Sequence, residues 1–391
     1  NSFILKRIIL NIDNILTIDE LRSLAKKRTP KMFYEYMEAG SWSESTLKDN
    51  RNEFKRIKFR QRVVKDISSR STRSNLVGSD ASIPLALAPC GLAGMQYPDG
   101  EIHSALAAEK FGVPYTLSTM SITSIEDLAD NVREPFWFQL YVMKDHEFSK
   151  KLIQRAKVAQ CSALVLTVDL QLLGQRHCDI RNGLSSPPKI TLKNILEMSL
   201  KPSWCIGMLK TKRRSFGNIV GHVDGVSDTS KLSSWIDEQF DLKLNWDDIS
   251  RIRDWWNGKL IIKGILDPED AMFAEKIGAD ALIVSNHGGR QLDETISSVT
   301  ALPDIINVLK PDTQVWLDSG IQSGQDILKA LALGAKATMI GKTYLYGLAA
   351  GGEKGVSKVL EILKKELDIT MGLCGCKDIS EVSGKIIKVL R

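Results

Sequence analysis

Nine residues, "SNHGGRQLD" from Ser285 to Asp293, place a histidine, two glycines, an arginine and an aspartate directly behind the apolar run Ala281–Val284. His287 is a candidate general base, because imidazole exchanges a proton near neutral pH. Arg290, three residues on, can clamp a carboxylate through parallel N–H donors. Each has a plainer alternative: a rim hydrogen bond for the histidine, a surface salt bridge for the arginine. Lys263, inside the apolar run "KLIIKGI", is harder to explain that way, since burying a lysine is costly without a partner anion. A negative charge on a cofactor ring would serve. Asp169 ends the run "ALVLTVD", from which it could orient the His287 ring.

These groups need a frame that brings distant segments to one rim. From about residue 80, eight β-rich runs alternate with helical patterns: 83–89, 113–118, 136–141, 163–169, 259–265, 280–286, 314–320 and 337–342. Most are apolar nearly throughout, as parallel strands buried on both faces require. Glycine closes several of the intervening helices. Eight strand–helix units predict an α/β fold of the (β/α)8 barrel type rather than an open sheet. Residues 15–65 read as a helical lead-in, with "TPKMFYEYMEAG" running from a proline to a glycine. After the fourth strand the chain spends roughly ninety residues where a few tens would suffice. That insertion reads as loose first and helical later, and "KGVSKVLEILKKELDITMGLCGC" as a closing helix.

Barrel enzymes carry their chemistry at the C-terminal strand ends. Here those ends are Pro89-Cys90-Gly91, Ser118-Thr119, Gln139 with Tyr141, Thr167 with Asp169, Lys263, Ser285-Asn286-His287, Asp318-Ser319-Gly320 and Gly341-Lys342. Such convergence is what a cofactor site needs. "DSGIQSG" and "IGK" follow the last two strands and precede helices, the place where barrels hold phosphate. Glycine turns also serve plain tight turns, so position carries this reading.

Composition narrows the class. The chain has 391 residues, 43% hydrophobic, enough for one large domain. No uncharged apolar stretch is long enough to span a bilayer. The start, "NSFILKRIILNIDNIL", lacks a small-residue cleavage site and reads as a lead-in to the first helix, not a signal peptide. Six scattered cysteines without zinc spacing predict reduced structural thiols and an intracellular protein. The net charge is +6, and the stretch from Lys189 to Phe216, with seven basic residues against Glu197, equals all of it. That stretch is either a solvated loop or a surface for anionic lipid or an acidic partner. No nucleic-acid surface and no metal site are expected.

"SNHGGRQLD", together with "IIKGI", "FQLYV", "LTVD" and "PKMFYEYMEAG", resembles the FMN-dependent L-2-hydroxy acid dehydrogenase/oxidase family, over about Ile18 to Ile386. "WWNGKLIIKGILDPEDA", "LSTMSITSIEDLA" and the basic insertion look most like its bacterial, membrane-associated, quinone-linked L-lactate dehydrogenases. The resemblance implies one domain: a lead-in over 1–80, then a barrel over 81–391 with an insertion at about 183–245. It implies that Ser118, Gln139, Thr167 and Lys263 contact the flavin, Lys263 at its N1/C2 edge. Ser285, Asp318, Gly320, Gln322, Gly341 and Lys342 complete the cofactor set, the Asp318–Lys342 segment taking ribityl chain and phosphate. Tyr36, Tyr141, Arg176 and Arg290 would bind the substrate, and His287 with Asp169 would be the catalytic pair. A homo-oligomer, a tetramer by resemblance, is implied, as is a peripheral place on the cytoplasmic side of a bacterial inner membrane, the cytoplasm being the alternative.

Three departures stand out. Gln322 and Lys342 occupy positions where the family usually has arginine, both at the phosphate. A neutral amide at Gln322 forgoes a charge-assisted contact of roughly 1.5–3 kcal/mol, which predicts weakened FMN retention. Met120 stands where glycolate oxidase-like members have an aromatic residue. "DLQLLGQR" lacks the proline common after "TVD", so the loop bearing Arg176 is expected to be set differently. With Tyr36 already in the flavin domain and five histidines in all, a preceding haem module is not expected. The leading expectation is oxidation of L-lactate to pyruvate with a membrane quinone as acceptor. The runners-up are a soluble oxidase releasing hydrogen peroxide and a degenerate barrel without catalysis.

Overall fold

The computed structural model describes residues 11–184, 191–222 and 239–390. All eight apolar runs are strands: β1 (Leu85–Leu87), β2 (Thr116–Ser118), β3 (Trp137–Leu140), β4 (Ala163–Thr167), β5 (Lys259–Ile265), β6 (Ala281–Val284), β7 (Gln314–Leu317) and β8 (Ala337–Ile340). Parallel pairing runs from β2 through β8 and back to β1. A Leu87–Tyr115 bridge spans the remaining gap and completes a (β/α)8 barrel. The surrounding helices start where the sequence supplies caps. Asp145 accepts from the Phe148 N–H to begin His146–Val158, and Ser323 accepts from Asp326 N–H to begin Gly324–Ala332.

Alternation along the strands builds the interior in layers. Trp137, Val165, Ile261, Ile283, Trp316 and Met339 face inward in one apolar cluster. Ala86, Ala163, Ala281 and Ala337 belong to the same cluster and leave room for the two tryptophans, whose rings lie 5.5 Å apart. Two residues further along, on the same side of each strand, come Gln139, Thr167, Lys263, Ser285, Asp318 and Gly341. An apolar floor thus carries a polar layer. Below it, the hairpin Ser74–Leu76/Ser79–Ala81 adds Leu76, Val77 and Ala81 to the cluster. Its turn uses positive φ at Val77 and Gly78 (44° and 95°), the twist a two-residue hairpin favours.

Two expectations need correction. The lead-in is helical at Ile18–Arg28, Lys31–Glu38 and Ser45–Arg56, but Ile57–Phe59 is a strand paired antiparallel with Ile387–Val389. The insertion's first part, expected to be loose, forms helices Leu192–Ser199 and Pro202–Lys210 where it is described. Thr191 caps the first in a capping box with Asn194, and Pro202 opens the second. The closing helix, expected over 354–376, is present as the part of Lys342–Leu373 that follows a break at Gly351–Gly352. The later helix of the insertion is present as Trp246–Trp255, and all six cysteines are free. Lys189, residues 223–238 of the insertion and the apolar start 1–10 lie outside the described residues.

Candidate active site

The polar layer opens into a cavity of about 840 Å3 at the C-terminal strand ends, a volume in the range of small-molecule and cofactor sites. Thirteen of the sixteen candidate residues line it: Tyr36, Ser118, Tyr141, Thr167, Arg176, Lys263, His287, Arg290, Asp318, Gly320, Gln322, Gly341 and Lys342. The other three stand directly behind the wall. Gln139 accepts a 3.1 Å hydrogen bond from Ser118, Ser285 accepts from Lys263 at 2.8 Å, and Asp169 bonds His287 at 2.9 Å.

His287 follows β6 in the left-handed region (φ 58°), with Gly288 and Gly289 also at positive φ (68° and 71°). A non-glycine residue held there is uncommon and needs support from its surroundings. The support is specific: the His287 N–H donates to Ser285 Oγ, Gly288 N–H to Ser319 Oγ and Gly289 N–H to Asn286 Oδ1. A side chain on Gly289 would also run into the Leu47 backbone, 2.6 Å away. The Asp169 bond engages Nδ1 and leaves Nε2 for the cavity. Burial pushes the Asp169 carboxyl upward, but His287 and then Lys263 outweigh it and hold Asp169 below its usual range. Asp169 therefore stays an anion facing the imidazole.

The wall that carries Arg290 and Arg176 is cationic. The Arg290 guanidinium lies 4.8 Å from the Tyr36 ring centroid and donates to the carbonyls of Tyr36 (2.5 Å) and Ala39 (3.0 Å). Arg176 lies 5.7 Å from the same ring and pairs with Asp179 at 2.5 Å. Burial, then the neighbouring Arg176 charge, lowers the proton affinity of Arg290. Among the described residues no carboxylate pairs directly with Arg290, so its guanidinium is left for an anion from outside the protein. The Tyr141 phenol, pushed far upward by burial and then Asp169, stays neutral and can donate. Its ring meets Phe240 edge-on at 6.0 Å.

At the opposite wall, Lys263 Nζ reaches Asp318 (2.6 Å) as well as Ser285. Burial works against its charge, but Asp318 and then Asp169 more than compensate and raise its proton affinity. Nearby, Gln139 Nε2 and Thr167 Oγ1 are buried without a protein partner. Buried polar atoms left so are uncommon and point to a ligand that satisfies them. Lys342 Nζ donates to the carbonyls of Glu38 (3.0 Å), Ala39 and Gly288 (both 3.4 Å). Burial, with Arg290 next, pushes it down to about 7. A buried cation beside glycine turns at helix N-termini suits a phosphate. Orphaned polar atoms, a lysine at the ring level and a phosphate-ready end together fit FMN.

Sequence reasoning missed three supports. Gly264 has φ 105°, and a Cβ added to it would lie 2.7 Å from Asp169 Cβ, so no side chain fits there. Gln291 ties the loop after β4 by donating to the carbonyls of Asp169 (3.0 Å) and Leu172 (2.7 Å). Asp179 fixes Arg176. Only the three-residue spacing of Arg176 and Asp179, and the glycine inside "KLIIKGI", gave a legible signal.

Comparison with known proteins agrees with this geometry. The sequence profile of the family described as FMN-dependent dehydrogenase matches residues 25–389. An L-lactate dehydrogenase of Acinetobacter baylyi is 41% identical over 371 residues, 94% of this chain and 96% of the relative. One from Vibrio cholerae is 42% identical over 366 residues, 93% of this chain and 96% of the relative. Among solved structures, the monotopic membrane protein (S)-mandelate dehydrogenase superposes with TM-score 0.91 at 38% identity, covering 96% of this chain and all of that one. A mandelate oxidase gives TM-score 0.81 at 32% identity over 94% of this chain and 97% of its own.

Proposed function

The chain belongs to the FMN-dependent dehydrogenase family, and we propose that it oxidises L-lactate to pyruvate and passes the electrons to a membrane quinone. One observation carries the reading: the His287–Asp169 pair faces the same cavity as Arg290 and Arg176, a base opposite an anion site. In the proposed mechanism Arg290 and Arg176 bind the substrate carboxylate, and Tyr36 and Tyr141 hold its hydroxyl. His287 Nε2 accepts a proton from the substrate, and Asp169 stabilises the imidazolium so formed. Ser118, Gln139, Thr167 and Lys263 would hold the flavin ring, and Ser285 would brace Lys263. Asp318, Gly320, Gln322, Gly341 and Lys342 would hold its tail. Bound there, FMN would supply the acceptor for the two electrons and the second hydrogen that the substrate loses. The test is a visible spectrum under anaerobic conditions. L-lactate should bleach the flavin bands and D-lactate should not; bands unmoved by any 2-hydroxy acid would refute the reading.

The apolar part of the wall favours a second reading within the same chemistry. Met120, Ile122, Leu173, Phe216 and Phe240 give the cavity an apolar lining that an aryl group could pack against, and mandelate enzymes are among the structural neighbours. A kcat/KM for (S)-mandelate above that for L-lactate would shift the substrate to the aryl acid.

Membrane docking is proposed through the two insertion helices. Leu192, Leu196 and Leu209 are 85%, 67% and 74% exposed, and helix Leu192–Ser199 buries none of its residues. Lys193, Lys201, Lys210 and Lys212 flank them, an apolar face with a basic border suited to anionic lipid. The basic stretch is less free than its composition suggests, because Arg213 pairs with Asp99 and Asp127. Among the described residues no helix is long and apolar enough to cross a membrane, so the proposed attachment is peripheral, on the cytoplasmic face of a bacterial inner membrane. Leu196→Asp with Leu209→Asp should abolish flotation with anionic liposomes; flotation equal to the parent would refute this face. Peroxide formed at the rate of lactate oxidation, without added acceptor, would replace quinone by oxygen.

A further inference from the structure

The phosphate end of the cavity is short of charge. A phosphate monoester carries roughly 1.5 to 2 negative charges at neutral pH. The turn after β7 offers Gln322, which is neutral, and Lys342 is the cation already held by three carbonyls. A third element borders this end. On helix Ser45–Arg56, residues Leu47, Asn50 and Arg51 fall at i, i+3 and i+4, hence on one face, and all three line the cavity. That face is locked onto the turns that follow β6 and β7. The Leu47 backbone fills the space a side chain on Gly289 would need, and the Asn50 backbone does the same at Gly320. Asn50 and Asn286 exchange two amide hydrogen bonds of 2.8 and 2.7 Å. The other basic side chains of the second half of the helix are engaged locally, Arg56 by Glu53 and Lys55 by Asn52. Arg51, half-buried in the cavity wall, has neither ion pair nor side-chain hydrogen bond among the described residues.

We propose that Arg51 is a cofactor-binding residue, supplying from the N-terminal lead-in the phosphate-binding cation that the turn at Gln322 lacks. With Lys342, which a bound phosphate would keep protonated, it brings two positive charges to a doubly charged ester. The proposal rests on the FMN reading, and the test separates the two. Apoprotein is titrated with FMN and with riboflavin, which lacks the phosphate, and binding is read from quenching of flavin fluorescence. Arg51→Ala should weaken FMN binding by roughly ten- to a hundredfold, the range of one charge-assisted contact, and leave riboflavin binding unchanged. Arg51→Lys should fall between, and Gln322→Arg added to Arg51→Ala should restore FMN affinity. Unchanged FMN affinity in Arg51→Ala would overturn the assignment. So would parallel loss of FMN and riboflavin, which would make the residue structural. If Arg51→Ala does not fold, Arg51→Gln keeps most of the stem and carries the same expectations. Parent apoprotein that binds neither flavin would instead sink the FMN reading and the proposal with it.

Discussion

The two ends of the cavity are built on different principles. At the proposed hydroxy-acid end the base and both guanidinium groups are fixed by another side chain or by backbone carbonyls: His287 by Asp169, Arg176 by Asp179, Arg290 by the Tyr36 ring and two carbonyls. At the proposed phosphate end there are glycine turns, one lysine held by backbone carbonyls, a neutral glutamine and an arginine without an ion pair among the described residues. Geometry is over-determined where bonds are to change and left to the ligand where only charge must be met. Chemistry is sensitive to displacements far below an ångström, whereas a phosphate can be held by donors in many arrangements.

If the division is real, damage at one end should leave the other intact. The largest effect belongs to His287→Gln, which should lower kcat by roughly 10² to 10⁴ with the flavin spectrum unchanged; loss of flavin with it would show that the ends are not separate. Next is Arg290→Lys. A single ammonium cannot reproduce the planar fork, so kcat/KM should fall by roughly ten- to a hundredfold, mainly through KM, again with flavin retained. From the other end, Gln322→Arg should slow FMN loss on dialysis about tenfold without moving kcat. A changed kcat would mean that the phosphate contacts reach the chemistry.

The smallest effect is a slope. Lys342 is pushed down to about 7, against about 10.4 in an unfolded chain. Between those values the unfolded state binds more protons, so this residue makes stability rise with pH across the window. Below about pH 7 the lysine is charged in both states and the cost of burying the charge is fully present. Thermal melts of the apoprotein should therefore rise from pH 7 towards 10, and Lys342→Met should flatten that rise. Equal slopes would place the charge in solvent.

Much of the barrel was legible because buried parallel strands leave near-continuous apolar runs, and strand alternation carries each run to a polar residue at the rim. That logic reached Lys263, Thr167, Asp318 and the His287–Asp169 pair from residue types alone. Pairing between Ile57–Phe59 and Ile387–Val389 was not legible, since two three-residue strands some 330 residues apart leave no periodic trace. Helix Leu192–Ser199 escaped for a different reason: Leu192, Ile195 and Leu196 do fall at helical spacing, but the stretch is only eight residues long and sits among lysines and prolines that read as loop. Arg51 was invisible because its meaning depends on Asn50 meeting Gly320, a contact between the lead-in and the seventh strand.

The carbonyls of residues 36–39 have a consequence for the order of assembly. Arg290 takes its orientation from Tyr36 and Ala39, 254 and 251 positions earlier in the chain, and Lys342 from Glu38, 304 positions earlier. Contacts of such separation carry the largest loop-closure cost and form late. A ribosome must release the chain through Arg290 before the first cation can settle, and through Lys342 before the second. A barrel closed without its first segment, or nicked near Gly40, would keep its walls while its two cations lost their bearings.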